Sequence, residues 1–192
     1  YIENLPAYDS NTKSLGLTVD SLVGQGTDSL FSSAQTDIAT RYALYKLNPF
    51  VIRNADDLYN AINNNGGALD VYSPATSTGS LTEQYLKDRS AFLVNKIWSG
   101  ANDKTTVSGD ALALRNSGKQ YFDDRATGYR LYLGEDRYAS DTPTSGLTQI
   151  VFGGENADQI IGGEKWDKLY GMQGNDTLQG NQGNDYLEGG QG

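Results

Sequence analysis

From Gly153 onward the chain runs in an unbroken register of nine residues: GGENADQII, GGEKWDKLY, GMQGNDTLQ, GNQGNDYLE and a partial GGQG. Gly153, Gly162, Gly171, Gly180 and Gly189 open the units. Asp158, Asp167, Asp176 and Asp185 fill the sixth place, and Ile160, Leu169, Leu178 and Leu187 fill the eighth. Few folds accept such a pattern. A unit this short cannot bury its eighth-place apolar side chain alone, so the units must stack on one another as a solenoid instead of folding as separate hairpins.

The residue types inside the period point to a chemistry. Glycine at the first, second and fourth places permits positive φ and lets carbonyl oxygens turn toward one point, and the sixth-place carboxylate adds the charge that a hard cation requires. Eleven of the 23 glycines lie between Gly153 and Gly192, where seven acidic residues face two basic ones. This shift in composition divides the chain into a mixed region, 1–147, and a repeat region, 148–192. Over the whole chain 24 acidic residues against 15 basic give a net charge of −9, which repels phosphate backbones and argues against a nucleic-acid partner.

These nonapeptides resemble the calcium-binding repeats of RTX proteins, the repeats-in-toxin or hemolysin-type exoproteins that bacteria secrete. The resemblance implies a right-handed parallel β-roll in which successive units lie on opposite sides and each Ca²⁺ sits between turns two units apart. It implies one ion shared by Asp158 and Asp176 and another shared by Asp167 and Asp185. Further oxygens would come from the backbone near Gly154, Asn156, Gly163, Lys165, Met172, Gly174, Asn181 and Gly183. The first two units depart from the pattern, because Asn156 and Lys165 replace the fourth-place glycine; Asn tolerates left-handed geometry and Lys does so poorly. Gly189–Gly192 would begin a third site.

Upstream, the grammar changes to helical periods. Between Ser33 and Leu47 the positions Ile38, Tyr42, Ala43 and Leu47 share one face, and Asn48-Pro49 ends the pattern. A shorter helix is expected over 54–62, capped by Asn54 and stopped by Gly66-Gly67. Ser80 and Glu83 make a capping box before the stripe Leu81, Tyr85, Phe92, Leu93, Val94 and Ile97, which predicts a helix over 80–98 with Lys87, Asp88 and Arg89 facing solvent or a neighbouring polar surface. Leu69–Tyr72 and Tyr129–Leu133 alternate as strands, the second ending at Gly134. The fold class expected is therefore an α+β bridging and capping region of amphipathic helices and short strands, followed by a parallel β-roll.

The blocks around Ala39–Phe50, Leu69–Thr76, Leu81–Arg89 and Tyr121–Arg125 are similar to the segment that precedes the repeats in large RTX exoproteins, some with a lipase-like domain upstream. That resemblance implies a bridge that joins a catalytic part to the roll and covers its open end near Thr148–Phe152, where an unpaired sheet edge needs a cover. It also implies export by a type I route, remaining domains of a parent protein as partners, and a role in virulence.

No catalytic device is visible. The chain has no histidine and no cysteine, which removes Ser-His-Asp and Cys-His arrangements and His-ligated zinc, and there is no Gly-x-Ser-x-Gly elbow. Asp123, Asp124, Glu135 and Asp136 leave carboxylate chemistry formally open, but no spacing singles out a pair. The 13 tyrosines could suggest a sugar platform, but Tyr42, Tyr45 and Tyr85 at helical positions are more often core or rim residues. No run approaches the roughly 18 apolar residues of a membrane-spanning helix. The amino terminus lacks a signal-peptide pattern. The start without Met and the stop within a repeat suggest a piece of a larger protein. The leading expectation is a non-catalytic calcium-binding segment of a secreted exoprotein whose parent is lipase-like; the alternative is part of an RTX adhesin or pore-forming toxin that binds a host surface or glycan.

Overall fold

The computed structural model describes residues 8–12, 14–63, 67–100, 120–133 and 146–191. They belong to two compact units, Tyr1–Ser108 and Gly109–Gly192. The chain is α+β.

In the first unit, β1 (Tyr8–Asp9) and β2 (Ser14–Leu15) form a small antiparallel ladder, and β3 (Thr18–Ser21) pairs antiparallel with β4 (Phe50–Arg53). Four helices complete it: α1 (Thr27–Thr36), α2 (Ile38–Lys46), α3 (Asp56–Asn63) and α4 (Glu83–Gly100). The apolar period over Ser33–Leu47 predicts one helix, and the structure has two. Asp37 takes an extended conformation, φ −108 and ψ 110, and its carboxylate accepts hydrogen bonds from the Ala39 and Thr40 N–H groups, each at 3.2 Å. A short polar side chain that satisfies the first free N–H groups restarts the helix instead of continuing it. Leu47, at φ 51, then closes α2 just before Pro49.

The other predicted caps also move. Asn54, at φ 60, does not cap α3; its Nδ2 donates to the Gly16 carbonyl at 3.1 Å, and the helix opens from the Ala55 carbonyl. Gly66, its expected stop, lies outside the described residues. Thr82, not Ser80, caps α4 by accepting the Tyr85 N–H at 3.1 Å, while Ser80 Oγ donates to the Gly67 carbonyl. Leu69–Tyr72 makes one isolated bridge, Val71 to Leu81, with Ser73 to Thr78 just beyond it, and no ladder.

The charged stretch of α4 divides. Lys87 pairs with Glu83 at 3.2 Å on the exposed face, whereas Arg89 is buried, 1% exposed. Arg89 Nε donates to the Leu44 carbonyl at 2.9 Å and Nη2 to that of Tyr45, and Lys96 Nζ reaches the Leu47 carbonyl at 2.9 Å. The last carbonyls of a helix have no partner within it, so two cations from α4 satisfy the end of α2. Of the two expected settings, solvent or a neighbouring polar surface, Arg89 takes the second, at carbonyls 44 and 45 residues upstream, and Asp88 is also buried, accepting from Gln84 Nε2 at 3.1 Å.

The second unit contains β5 (Gln120–Asp124), β6 (Tyr129–Leu133), β7 (Thr148–Phe152), β8 (Gln159–Ile161), β9 (Lys168–Tyr170), β10 (Thr177–Gln179) and β11 (Tyr186–Glu188). One sheet has the order β11-β9-β7-β5-β6 and a second pairs β10 with β8. Within the repeats all pairing is parallel. Leu178 sits opposite Ile160, Leu187 opposite Leu169 and Leu169 opposite Val151, so each strand meets the one two units away and consecutive strands alternate between sheets. Ile160 and Leu169 are fully buried, with Val151 beside them and Leu178 packed against the cluster. Leu187, in the last described strand, is 45% exposed.

β6 occupies the predicted Tyr129–Leu133; Gly134, Glu135 and Asp136 lie outside the described residues. β5 pairs parallel with β7 and antiparallel with β6, so the hairpin upstream of residue 148 belongs to the same sheet as the repeats. These strands lack the glycine period because they add ladders to the sheet without building loops between turns.

Candidate metal centre

Each repeat strand is preceded by a loop, and the alternation of strands sorts the loops into two rows. The odd row holds 153–158 and 171–176, with the predicted residues Gly154, Asn156, Asp158, Met172, Gly174 and Asp176. The even row holds 162–167 and 180–185, with Gly163, Lys165, Asp167, Asn181, Gly183 and Asp185. In both rows the aspartates expected to share an ion lie in adjacent turns. The Asp158 N–H donates to Asp176 Oδ1 at 2.8 Å and the Asp167 N–H to Asp185 Oδ1 at 2.9 Å.

Glycine is needed for two different reasons. At the first place the cause is contact, because a Cβ on Gly153 would lie 2.2 Å from the Gly171 carbonyl oxygen. At the fourth place the cause is also conformation: Gly183 has φ +126, and a Cβ there would meet the Lys165 carbonyl oxygen at 2.3 Å. In the third and fourth units the second place turns left-handed without glycine, with Met172 at φ 77 and Asn181 at φ 68, whereas Gly154 and Gly163 at that place are not left-handed. Asn181 Nδ2 steadies its turn by donating to the Gly162 carbonyl at 2.7 Å. In the first two units neither Asn156 nor Lys165 is left-handed. Their loops close instead through the sixth-place carboxylate, Asp158 Oδ2 accepting from Gly154 N–H and Asp167 Oδ2 from Gly163 N–H. The chain thus avoids the strained geometry that Lys165 would have to adopt.

The donor set is one of hard oxygens. The Gly154 and Gly163 carbonyls each accept one N–H from the next loop in their row, Gln173 and Gln182, at 3.1 Å. The Asn156 and Lys165 carbonyls face the fourth-place glycines Gly174 and Gly183. Asp176 Oδ2 is buried and has no hydrogen-bond partner. A buried carboxylate oxygen without a partner is costly unless a cation meets it, so this row fits Ca²⁺. Burial pushes the Asp167 carboxyl above its usual range, and nearby Asp185 adds like-charge repulsion, against the lowering effect of the Gly163 and Gln149 N–H groups. A divalent ion between the two turns would relieve both causes. Among the described residues no three acidic side chains converge, as expected where backbone carbonyls supply most ligands.

Of the carboxylates considered for catalysis, the two among the described residues are engaged elsewhere. Asp123 pairs with Arg130 at 3.3 Å, and buried Asp124 accepts from Thr127 Oγ1 at 2.7 Å in the β5–β6 turn. Tyr85 is buried, and Tyr42 packs on Tyr59 at 5.3 Å. The contribution of Arg125, which forms an ion pair with Asp158 at 3.5 Å, has no local signal in the repeat register, because the arginine lies outside it. Counting back two units from Leu169 does reach Val151 and so finds β7, whose loop glycines are missing.

Residues 161–192 match the family model of the RTX calcium-binding nonapeptide repeat, in four copies. The first unit, whose fourth place is Asn156, lies almost entirely ahead of the match. No curated protein and no solved structure matches the chain. The C-terminal repeats are thus of the RTX type, and repeats of this type bind Ca²⁺. They are typical of secreted bacterial proteins. No helix among the described residues is long and apolar enough to cross a membrane.

Proposed function

We propose that the repeats wind as a parallel β-roll holding one Ca²⁺ between Asp158 and Asp176 and another between Asp167 and Asp185, with carbonyls of the loops that carry them completing each shell. The observation that carries this reading is the odd row, where Asp158 N–H bonds Asp176 Oδ1 and leaves Asp176 Oδ2 buried without a partner. The chain then acts as the calcium-dependent module of an exported exoprotein, and the β5–β6 hairpin covers the edge of the roll at β7. The pre-repeat blocks support a larger parent with a lipase-like part.

Extracellular calcium modules bind at roughly 10⁻⁴ to 10⁻³ M, far above cytosolic calcium, so the roll stays open before export and orders outside. Calorimetric titration with CaCl₂ tests the ligand assignment. Asp176→Asn keeps the acceptor that bonds Asp158 and removes the charge, and it should weaken the odd-row site by about tenfold, since ligand charge sets the affinity of such sites. An unchanged isotherm would reject the assignment. Circular dichroism in excess chelator tests the coupling to folding, and a fully ordered repeat region there would remove it.

A further inference from the structure

The odd row ends at Asp158, and what stands beyond it is not another loop but the β5–β6 turn. Arg125 N–H donates to the Phe152 carbonyl at 2.9 Å, just as Gly153 N–H donates to Tyr170 at 2.7 Å and Gly171 N–H to Glu188 at 2.8 Å. Arg125 therefore occupies the backbone position that the first glycine of a preceding unit would take. The turn lies over the first loop, with Ala126 Cα 3.9 Å from a Cβ placed on Gly154.

Its side chain carries the chemistry. Arg125 Nη1 donates to the Gln159 carbonyl at 2.7 Å and lies 3.5 Å from Asp158 Oδ1. In the next turns that oxygen accepts a backbone N–H from 18 residues earlier: Asp176 Oδ1 from Asp158, Asp167 Oδ1 from Gln149 and Asp185 Oδ1 from Asp167. Among the described residues, a full positive charge meets the terminal aspartate in the odd row and not in the even row. The even row ends on the neutral Gln149 N–H.

We infer that Arg125 is a fixed cation that closes the odd row, neutralising Asp158 from the side where no further calcium loop exists and setting the affinity of the adjacent ion. The inference rests on the placement of that ion between Asp158 and Asp176. Two consequences oppose each other in sign. Without calcium, Arg125 pairs the half-buried Asp158 carboxylate at the end of the row. With calcium, guanidinium and ion are like charges sharing one aspartate, so Arg125 weakens the site. A residue that merely braced the loop would do the reverse on removal, because a looser loop binds an ion less well.

Amide hydrogen exchange across a CaCl₂ titration separates these outcomes, with β8 and β10 reporting the odd row and β9 and β11 the even row as internal control. Arg125→Met keeps the aliphatic stem and removes the charge. The calcium midpoint of β8 and β10 should fall by about fivefold in this variant, while that of β9 and β11 stays put. Arg125→Lys should retain the wild-type midpoint. A midpoint for β8 and β10 that is unchanged or raised in Arg125→Met, while Asp176→Asn raises it, would overturn the role of Arg125 alone. If Asp176→Asn also leaves it unchanged, the ion is misplaced and both readings fail.

Discussion

At the scale of single residues, the repeat works because backbone and carboxylate oxygens are brought to the same small volume, and glycine is what lets them approach. Gly183 meets this demand twice over: its φ of +126 disfavours any L side chain, and the Lys165 carbonyl oxygen stands 2.3 Å from where a Cβ would be. Gly183→Ala should therefore destabilise the calcium-loaded repeats by about 1–3 kcal/mol, read as a lower melting temperature in CaCl₂. Gly128, also at positive φ but with open space around it, should tolerate alanine better, since it meets only the conformational cost. Equal losses at both positions would remove close approach as the cause. The departures at Asn156 and Lys165 are resolved at the same scale, since their loops close on Asp158 and Asp167 without a left-handed residue.

At the scale of elements, caps decide where helices stop, and this is where sequence was least informative. The apolar period identified the material of α2 and α4, but Asp37 divides one expected helix in two because its carboxylate serves Ala39 and Thr40 N–H groups and also Arg53 Nη1 at 2.7 Å. Burial raises the Asp37 carboxyl, but the bonds from Thr40 and Arg53 outweigh it, and the folded value lies below the ordinary 3.8. Its stabilising contribution is complete above about pH 4 and is lost as pH falls through the lowered folded value. Asp37→Ala should cost about 1 kcal/mol near neutral pH. The difference from wild type should narrow only in strong acid, as chemical denaturation along a pH series would show; a gap that narrows between pH 5 and 7 would contradict it. The strands of the repeats were legible because period and burial coincide: the eighth-place residues Ile160 and Leu169 are the core. β5 was not, since pairing with a distant edge leaves no local mark, and neither was Arg89, whose partners are carbonyls 44 and 45 residues away.

At the scale of the whole molecule, charge and topology support one account. The chain carries −9, and its repeat segment concentrates acidic groups on turns that the parallel register stacks directly over one another. Stacked carboxylates repel, and cations placed between turns, with Arg125 at the end of one row, would offset that repulsion. The hairpin of β5 and β6 gives the β7 edge a hydrogen-bonded neighbour. The central claim is that calcium sits between loops of the same row, and the most direct measurement is anomalous diffraction from crystals grown in CaCl₂. Peaks are expected between the loops of Asp158 and Asp176 and between those of Asp167 and Asp185, and none between Arg125 and Asp158. Calcium density confined to other surfaces, or absent from both rows at saturating CaCl₂, would contradict it.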